Sequence, residues 1–271
     1  MNEREMEEIK DKIVLEWTYK PENYVEEPYQ IQGVDYVIDI GNGKAKVILD
    51  SKYENYDDNK AIVKLINCDL NNHLRSIQII TRKPYKLFMS SEIHFRSDGR
   101  REIIASTDAY IDSSSVSMDF LQIDKDEKII RDSRQERLDE TRKYIELTRK
   151  HIADPTLEAI MQSYNKALND PDNEFLHLYE IRDALSNRFK DEIKVNKKLK
   201  ISNTEWRKFG ELTSSNNYPV KQSRHRGNFV GQLREATIEE LTEARQIAAA
   251  MIKSYLNYLE EQANAELSPQ P

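Results

Sequence analysis

A polar segment ahead of the last predicted helix, residues 221–227, places a histidine between two arginines. The imidazole of His225 can accept or release a proton near neutral pH. The guanidinium groups of Arg224 and Arg226 can each bind a phosphate through two parallel hydrogen bonds. A proton-transfer group beside a cationic clamp is what attack of a ribose 2′-hydroxyl on its neighbouring phosphate requires, without a metal ion. The alternative interpretation is an ordinary basic surface loop.

Positive charge is concentrated around this segment. Residues 188–234 carry 12 basic and 4 acidic side chains, a net charge of +8, in a protein whose total net charge is −7. A local positive region of this size can attract a polyanion although the whole molecule is acidic. RNA is therefore the expected partner, with a solvated loop as the alternative for the lysines at 194–200. The residues expected to contact RNA are Arg226, Lys221, Arg207, Lys208, Lys197 and Lys198.

A second candidate site lies at the ends of a predicted hairpin. Asp35 opens one strand, and Asp50-Ser51-Lys52 closes the next. Two carboxylates on adjacent strands could hold Mg²⁺ while Lys52 orients the attacking water. The pattern resembles that of the PD-(D/E)xK nucleases and would imply a magnesium-dependent nuclease. The alternative is that these residues only terminate the hairpin strands.

A third polar group lies on a predicted helix. His177 and Glu180 are three residues apart and therefore share a helix face, with Asp183 beside them. A histidine and a carboxylate at this spacing could bind a metal ion, but the sequence supplies no third ligand. The pair is therefore interpreted as a polar face between helices or towards solvent.

The elements that must position these residues change in type near residue 125. Before it, apolar residues alternate on both sides of Gly41-Asn42-Gly43, which predicts a β-hairpin with a tight turn. The spacing of apolar residues from Ile62 to Leu74 predicts a helix. Further strands are predicted over residues 13–19, 76–81, 85–89, 92–96, 102–106 and 116–123.

After residue 125 the pattern predicts helices. A highly charged helix with a narrow apolar seam is predicted over 126–150. Asp154-Pro155 and Asp170-Pro171 each place a capping residue before a proline, so a helix is expected to begin at each. Two further helix starts are expected at capping boxes, Ser202 to Glu205 and Thr237 to Glu240, and the second opens a helix of about six turns.

These elements predict an α+β protein. The expected parts are a strand-rich α+β domain over 1–125, a charged connecting helix over 126–153, a helical bundle over 154–262 and a disordered tail over 263–271. Cys68 is the only cysteine, so no intrachain disulfide can form and a reducing cytoplasm is the expected location. No apolar run approaches the roughly 18 to 20 residues that span a bilayer, so no membrane partner is expected.

Three segments lie at residues 178–185, 206–212 and 224–227, ahead of the last predicted helix. Together with that helix they resemble the HEPN superfamily. The resemblance covers roughly residues 155–260. It implies a compact all-α bundle that forms a homodimer, with a role in prokaryotic antiviral or toxin systems and a protein partner encoded in the same operon. The strand-rich domain would then sense a signal or bind that partner. Active members of the superfamily are metal-independent ribonucleases that need no cofactor.

The signature of that superfamily is an arginine, four to six intervening residues and a histidine. None of the five histidines here has an arginine at that distance; Arg224 is adjacent to His225, and Lys221 lies four positions before it. By the resemblance, His225 and Arg224 would be the catalytic pair and Glu180 the supporting polar group. The altered spacing leaves three alternatives open: a ribonuclease, a non-catalytic dimeric interaction or scaffold module, and the magnesium-dependent nuclease.

Overall fold

The computed structural model confirms the predicted α+β class, with an antiparallel sheet in the first part of the chain and helices later. The chain divides into two compact units. The sheet unit comprises Met1–Leu74 and Tyr85–Asp119, and the helical unit comprises Arg75–Pro84 and Phe120–Pro271. The residues that the structure describes are 11–54, 56–98, 100–105, 119, 121–123, 129–214, 220–228 and 231–267.

The sheet unit contains a six-stranded antiparallel sheet in the order β2-β3-β4-β1-β5-β6. Every second residue of β4 is buried, so one face of the sheet is covered. Helix α1 (Tyr56–Thr81) forms hydrogen bonds with residues of this unit, among them Tyr36, which donates to Asp69, and Tyr24, which donates to the Leu74 carbonyl. The strands are β1 (Lys12–Lys20), β2 (Tyr29–Gln32), β3 (Val37–Gly41), β4 (Lys44–Asp50), β5 (Lys86–Phe95) and β6 (Arg101–Ala105).

The predicted hairpin is confirmed. Strands β3 and β4 pair in the register Gly41↔Lys44, with Asn42 and Gly43 between them. Both turn residues have positive φ, 51° and 76°, as a type I′ turn requires. Asparagine and glycine tolerate this conformation better than other residues, which is why the sequence identified the turn correctly.

The predicted strand over 76–81 is wrong because α1 continues to Thr81. Ile79 and Ile80 are buried in the core of the helical unit, so burial outweighs the strand preference of β-branched residues. The strands predicted over 85–89 and 92–96 are one strand, β5. Of the strand predicted over 116–123, the structure describes residues 119 and 121–123, and residues 116–118 lie outside the described part.

In its described residues the helical unit contains the last turns of α1, a short hairpin and six further α-helices. The hairpin pairs β7 (Leu121–Ile123) with β8 (Ile129–Asp132), so the charged helix predicted from residue 126 begins only at Ser133, capped by Asp132. The last helix reaches Leu267, so the expectation of disorder from residue 263 is wrong up to that residue; residues 268–271 lie outside the described part. The helices are α2 (Ser133–Lys150), α3 (Pro155–Asn169), α4 (Glu174–Phe189), α5 (Glu192–Leu199), α6 (Asn203–Ser214) and α7 (Ile238–Leu267).

Local capping explains where these helices begin. The Asp154 carboxylate accepts a hydrogen bond from the Leu157 amide at 2.8 Å, as the Asp-Pro pattern predicts. At Asp170-Pro171 a 3₁₀ turn over Pro171–Asn173 comes first, and α4 starts at Glu174. Both capping boxes are confirmed: in the pairs Ser202 with Glu205 and Thr237 with Glu240, each backbone amide donates to the side-chain oxygen of the other residue.

Helix α5 was not predicted from the sequence. It has eight residues and buries only Val195 and Leu199, too few for a clear helical pattern. The lysines that flank it, Lys190 and Lys200, both have left-handed backbone conformations, with φ of 63° and 56°. Each ends a helix, since their amides donate to carbonyls of the preceding turn.

Aromatic and aliphatic side chains from all the helices form the core of the helical unit. Tyr164 on α3, Phe175 on α4, Phe209 on α6 and Tyr255 on α7 are almost fully buried there. The predicted apolar stripe of α4 is confirmed at Leu178, Ile181 and Leu185, all fully buried. Tyr179, Glu180 and Asp183, considered below, are only partly buried and lie on the side of α4 away from that stripe.

Within the residues described, no helix is both long enough and apolar enough to cross a membrane.

Candidate functional site

The structure fixes Arg224 against α4. Its Nη1 donates to Asp183 Oδ2 at 2.8 Å, and the centre of its guanidinium lies 4.4 Å from the centroid of the Tyr179 ring. The backbone amide of Arg224 donates to the carbonyl of Thr213 near the end of α6. Because Tyr179 and Asp183 are four residues apart, they present a stacking surface and a carboxylate on one face of α4.

The Arg226 side chain contacts the turn that precedes α4. Its Nη1 donates to the carbonyls of Asp172 at 3.2 Å and Lys221 at 3.0 Å, and its Nη2 donates to Asn173 Oδ1 at 2.9 Å. Three hydrogen bonds from one guanidinium fix the loop relative to the helix start. Arg226 therefore hydrogen-bonds two backbone carbonyls and one side chain of the protein itself, contacts that the sequence did not predict.

Lys221 and Gln222 close the base of the loop. Lys221 Nζ lies 2.6 Å from Glu235 Oε1, and Gln222 Nε2 donates to Glu235 Oε2 at 2.7 Å. The hydrogen bond with Glu235 raises the pKa of Lys221, and that with Lys221 lowers the pKa of Glu235. Val220 also forms a parallel bridge with Arg234. The charge of Lys221, a predicted RNA contact, is thus neutralised within the protein.

His225 is exposed between the two fixed arginines. Its backbone carbonyl accepts a hydrogen bond from the Asn228 amide at 2.9 Å, which closes a turn. Within the described part of the chain, no side chain hydrogen-bonds the imidazole. Its two ring nitrogens are therefore open to a ligand, whereas the neighbouring guanidinium groups are held in place.

The structure places Glu180 in a separate polar cluster on α3 and α4. Ser163 Oγ donates to Glu180 Oε2 at 2.8 Å, and His177 Nδ1 lies 3.5 Å from the same oxygen. His177 Nε2 lies 3.3 Å from Asp170 Oδ2. The hydrogen bond from Asn173, followed by that from His177, lowers the pKa of Asp170. The carboxylate that contacts Arg224 is Asp183, three residues after Glu180.

Arg182 extends the stacked arrangement along α4. Its guanidinium lies 5.7 Å from the Tyr179 ring centroid and 5.0 Å from that of Trp206 on α6. Its Nη2 donates to Glu192 at 2.8 Å. A Cβ atom on Gly210 would lie only 2.5 Å from Arg182 Nη1, so the glycine makes room for the guanidinium.

The other predicted RNA contacts on α6 also have acidic partners. Arg207 Nε lies 3.6 Å from Glu211 Oε1, and Lys208 Nζ lies 3.4 Å from Glu243 Oε2. Lys197 and Lys198 differ from them, since both are exposed on α5 and neither forms an ion pair with a described residue. The predicted RNA contacts thus fall into two groups with different electrostatic environments.

The predicted magnesium site lies in the sheet unit. Asp35 is in the bend before β3 rather than at the strand's start, and its carboxylate accepts a hydrogen bond from Tyr53. Asp50 ends β4, and the pKa of Lys52 is raised by its hydrogen bond with Tyr53 and then by the charge of Asp35. Across the described residues, no group of three His, Cys, Asp or Glu side chains could hold a metal ion.

The sequence pattern did not identify Tyr179 as a partner of Arg224, and it indicated Asp183 only as a neighbour of His177 and Glu180. The available signal was their spacing of four residues on the predicted helix, opposite the apolar stripe. The sequence did not show which helix face the loop contacts, because that depends on the path of the chain after α6. No family model, curated protein or solved structure matches this chain.

Proposed function

We propose that the helical unit is an RNA-binding module of the HEPN type, acting in the cytoplasm of a prokaryote. The observation that carries the proposal is the ordered presentation of His225 between Arg224, stacked on Tyr179, and Arg226, anchored to the turn before α4. An arginine stacked on an aromatic ring keeps part of its guanidinium exposed for a phosphate or a base. The net charge of +8 over residues 188–234 also supports RNA as the ligand.

The chemistry proposed at this surface is cleavage of RNA without a metal ion. His225 accepts the proton of a ribose 2′-hydroxyl, the 2′-oxygen bonds to phosphorus, and the bond to the 5′-oxygen breaks. The protonated imidazole of His225 then gives this proton to the departing 5′-oxygen, leaving a 2′,3′-cyclic phosphate. Arg224 stabilises the charge that develops on the phosphate oxygens. The site would be completed by a second copy of the chain, as the resemblance to HEPN bundles implies.

A non-catalytic interaction module is the second candidate. The observation that favours it is the internal use of the loop's cations, because Asp183 neutralises Arg224 and Arg226 donates three hydrogen bonds to the protein. A cation that is already paired with a carboxylate stabilises a developing phosphate charge less than an unpaired cation does. In this alternative the helical unit binds RNA or a protein partner encoded in the same operon and does not cut.

The test is cleavage of labelled single-stranded RNA by the purified protein, with Mg²⁺ and with EDTA. We expect cleavage in EDTA that falls about 100-fold or more in His225→Ala, the scale typical of general acid–base catalysis. His94→Gln, a histidine in the sheet unit paired with Glu92, is the matched control and should retain activity. RNA binding without cleavage would favour the interaction module, and absence of both would overturn the proposal.

A further inference from the structure

The exposed face of α5 differs electrostatically from the loop around Arg224. Lys194, Lys197 and Lys198 are exposed and occupy positions i, i+3 and i+4 of this helix, so they share one face. Val195 and Leu199 are buried on the opposite side. None of the three ammonium groups forms an ion pair with a residue that the structure describes. In the loop, by contrast, Lys221 and Arg224 each have a carboxylate partner.

The acidic residues next to these lysines are already engaged elsewhere. Asp191 accepts a hydrogen bond from the Ile193 amide at 2.9 Å and caps the start of α5. Glu192 binds Arg182 at 2.8 Å. The local positive charge of the lysines is therefore not cancelled by their sequence neighbours. Because like charges repel one another, binding of an anion from outside the protein lowers the electrostatic energy of such an exposed group.

A series of contacts connects the start of α5 with the loop. Glu192 at the start of α5 binds Arg182, whose guanidinium lies 5.7 Å from the Tyr179 ring centroid. Arg224 stacks on the same ring at 4.4 Å. A ligand that extends from the loop along α4 would reach α5. Glu192 lies two positions before Lys194 and therefore faces the other side of α5, so these contacts link the loop to the start of that helix and not to its lysine face.

We propose that Lys194, Lys197 and Lys198 bind the phosphate backbone of RNA that extends from the Arg224 loop; the inference rests on the proposed RNA-binding function. A lysine ammonium is a compact charge suited to a phosphate rather than to a base edge, so this contact is independent of RNA sequence. The eight-residue helix is about 12 Å long, enough for about three consecutive phosphates of a strand.

A membrane surface fits these residues less well. An interfacial helix buries a broad apolar face in the lipid headgroup region. Here Ile193, with 75% of its surface exposed, is the only large apolar side chain of α5 that is exposed, because Val195 and Leu199 are buried in the core. One isoleucine beside three lysines gives too little apolar area for such insertion, so the phosphate chain of a nucleic acid is favoured.

The experiment compares RNA affinity in the full-length protein and in Lys194→Gln/Lys197→Gln/Lys198→Gln, by fluorescence anisotropy of a labelled single-stranded RNA over a range of salt concentrations. Each lost phosphate contact reduces the slope of log K against log salt by about 0.7. We therefore expect a slope shallower by about 2 and an affinity about 100-fold lower at about 0.1 M salt. Lys194→Arg/Lys197→Arg/Lys198→Arg is the matched control, and it should retain wild-type affinity because it keeps the three charges.

Arg149→Gln/Lys150→Gln/Lys166→Gln controls for net charge, since it removes three exposed cations from α2 and α3. It should change RNA affinity much less. If the α5 variant binds RNA as the wild type does, the inference is overturned and the proposed function stands. If the wild type binds no RNA, both fail. Binding to vesicles containing phosphatidylserine instead of RNA, lost in the α5 variant, would overturn the inference in favour of a lipid surface. Circular dichroism establishes that each variant is folded.

Discussion

Glu174 is almost completely buried, and Arg245 binds both oxygens of its carboxylate. The two parallel hydrogen bonds, 2.6 Å and 2.7 Å long, join the first turn of α4 to α7. The hydrogen bond with Glu174 raises the pKa of Arg245. Tyr164 Oη also donates to the Arg245 carbonyl at 3.2 Å. This pair therefore fixes the position of α4, and with it the face that carries Tyr179 and Asp183.

Removal of Arg245 would leave the Glu174 carboxylate buried without a counter-charge. We expect Arg245→Met to lower the free energy of unfolding by about 3 kcal/mol, the lower end of the range for a broken buried ion pair. The double variant Glu174→Leu/Arg245→Met should lose less, because no buried charge remains. Urea denaturation followed by circular dichroism measures both. Equal losses in the single and double variants would contradict this account of the pair.

Asp183 competes with any anion for Arg224. Asp183→Asn removes the paired charge but keeps the shape, so RNA affinity should rise by up to about fivefold, the scale of an exposed ion pair. Glu180→Gln is the matched control on the same helix and should leave the affinity unchanged, because Glu180 contacts Ser163 and His177. Fluorescence anisotropy with labelled RNA tests both variants. A rise in Glu180→Gln alone would restore Glu180 as the site carboxylate.

Acid should destabilise the start of α7 through Glu240. Its hydrogen bonds with Arg234 and then the Thr237 amide lower the pKa of this carboxylate. A lowered folded-state pKa stabilises the fold above the unfolded-state value, and that contribution is lost as pH falls through the folded-state pKa. The Tm should therefore begin to fall as the pH drops below the unfolded-state pKa of glutamate, about 4.5, and should continue to fall as the pH passes through the lower folded-state pKa of Glu240. In Glu240→Gln this dependence should be weaker, as measured by thermal melting, and an unchanged pH profile would rule out this role.

The capping box at the start of α6 can be tested separately. The Ser202 hydroxyl accepts a hydrogen bond from the Glu205 amide at 3.1 Å, and Glu205 accepts one from the Ser202 amide. Ser202→Ala should cost about 1 kcal/mol of unfolding free energy. Ser202→Asp retains an acceptor at the N-cap and should cost much less. Chemical denaturation measures both free energies of unfolding. An unchanged free energy of unfolding in Ser202→Ala would show that water replaces the cap.

The sequence predicted the elements whose signals are local. The turn at Asn42-Gly43 and the helix start at Asp154-Pro155 depend only on backbone conformation and capping, which are local properties of the sequence. The structure confirms both predictions. The end of α1 could not be predicted, because Ile77, Ile79 and Ile80 have the composition of a strand and are helical only through burial. Likewise the pairing of Arg224 with Asp183, distant in sequence, depends on how the chain returns from α6 to α4.

The left-handed lysines that end α4 and α5 have an energetic consequence. An L-residue other than glycine or asparagine in this conformation costs about 1 to 2 kcal/mol of backbone energy. Glycine at Lys190 or Lys200 would relieve that cost and is the residue most common after a helix end. The chain thus forgoes stability at the C-caps of α4 and α5 and holds an ammonium group at each. At these two residues the protein keeps a positive charge at the expense of the stability of its fold.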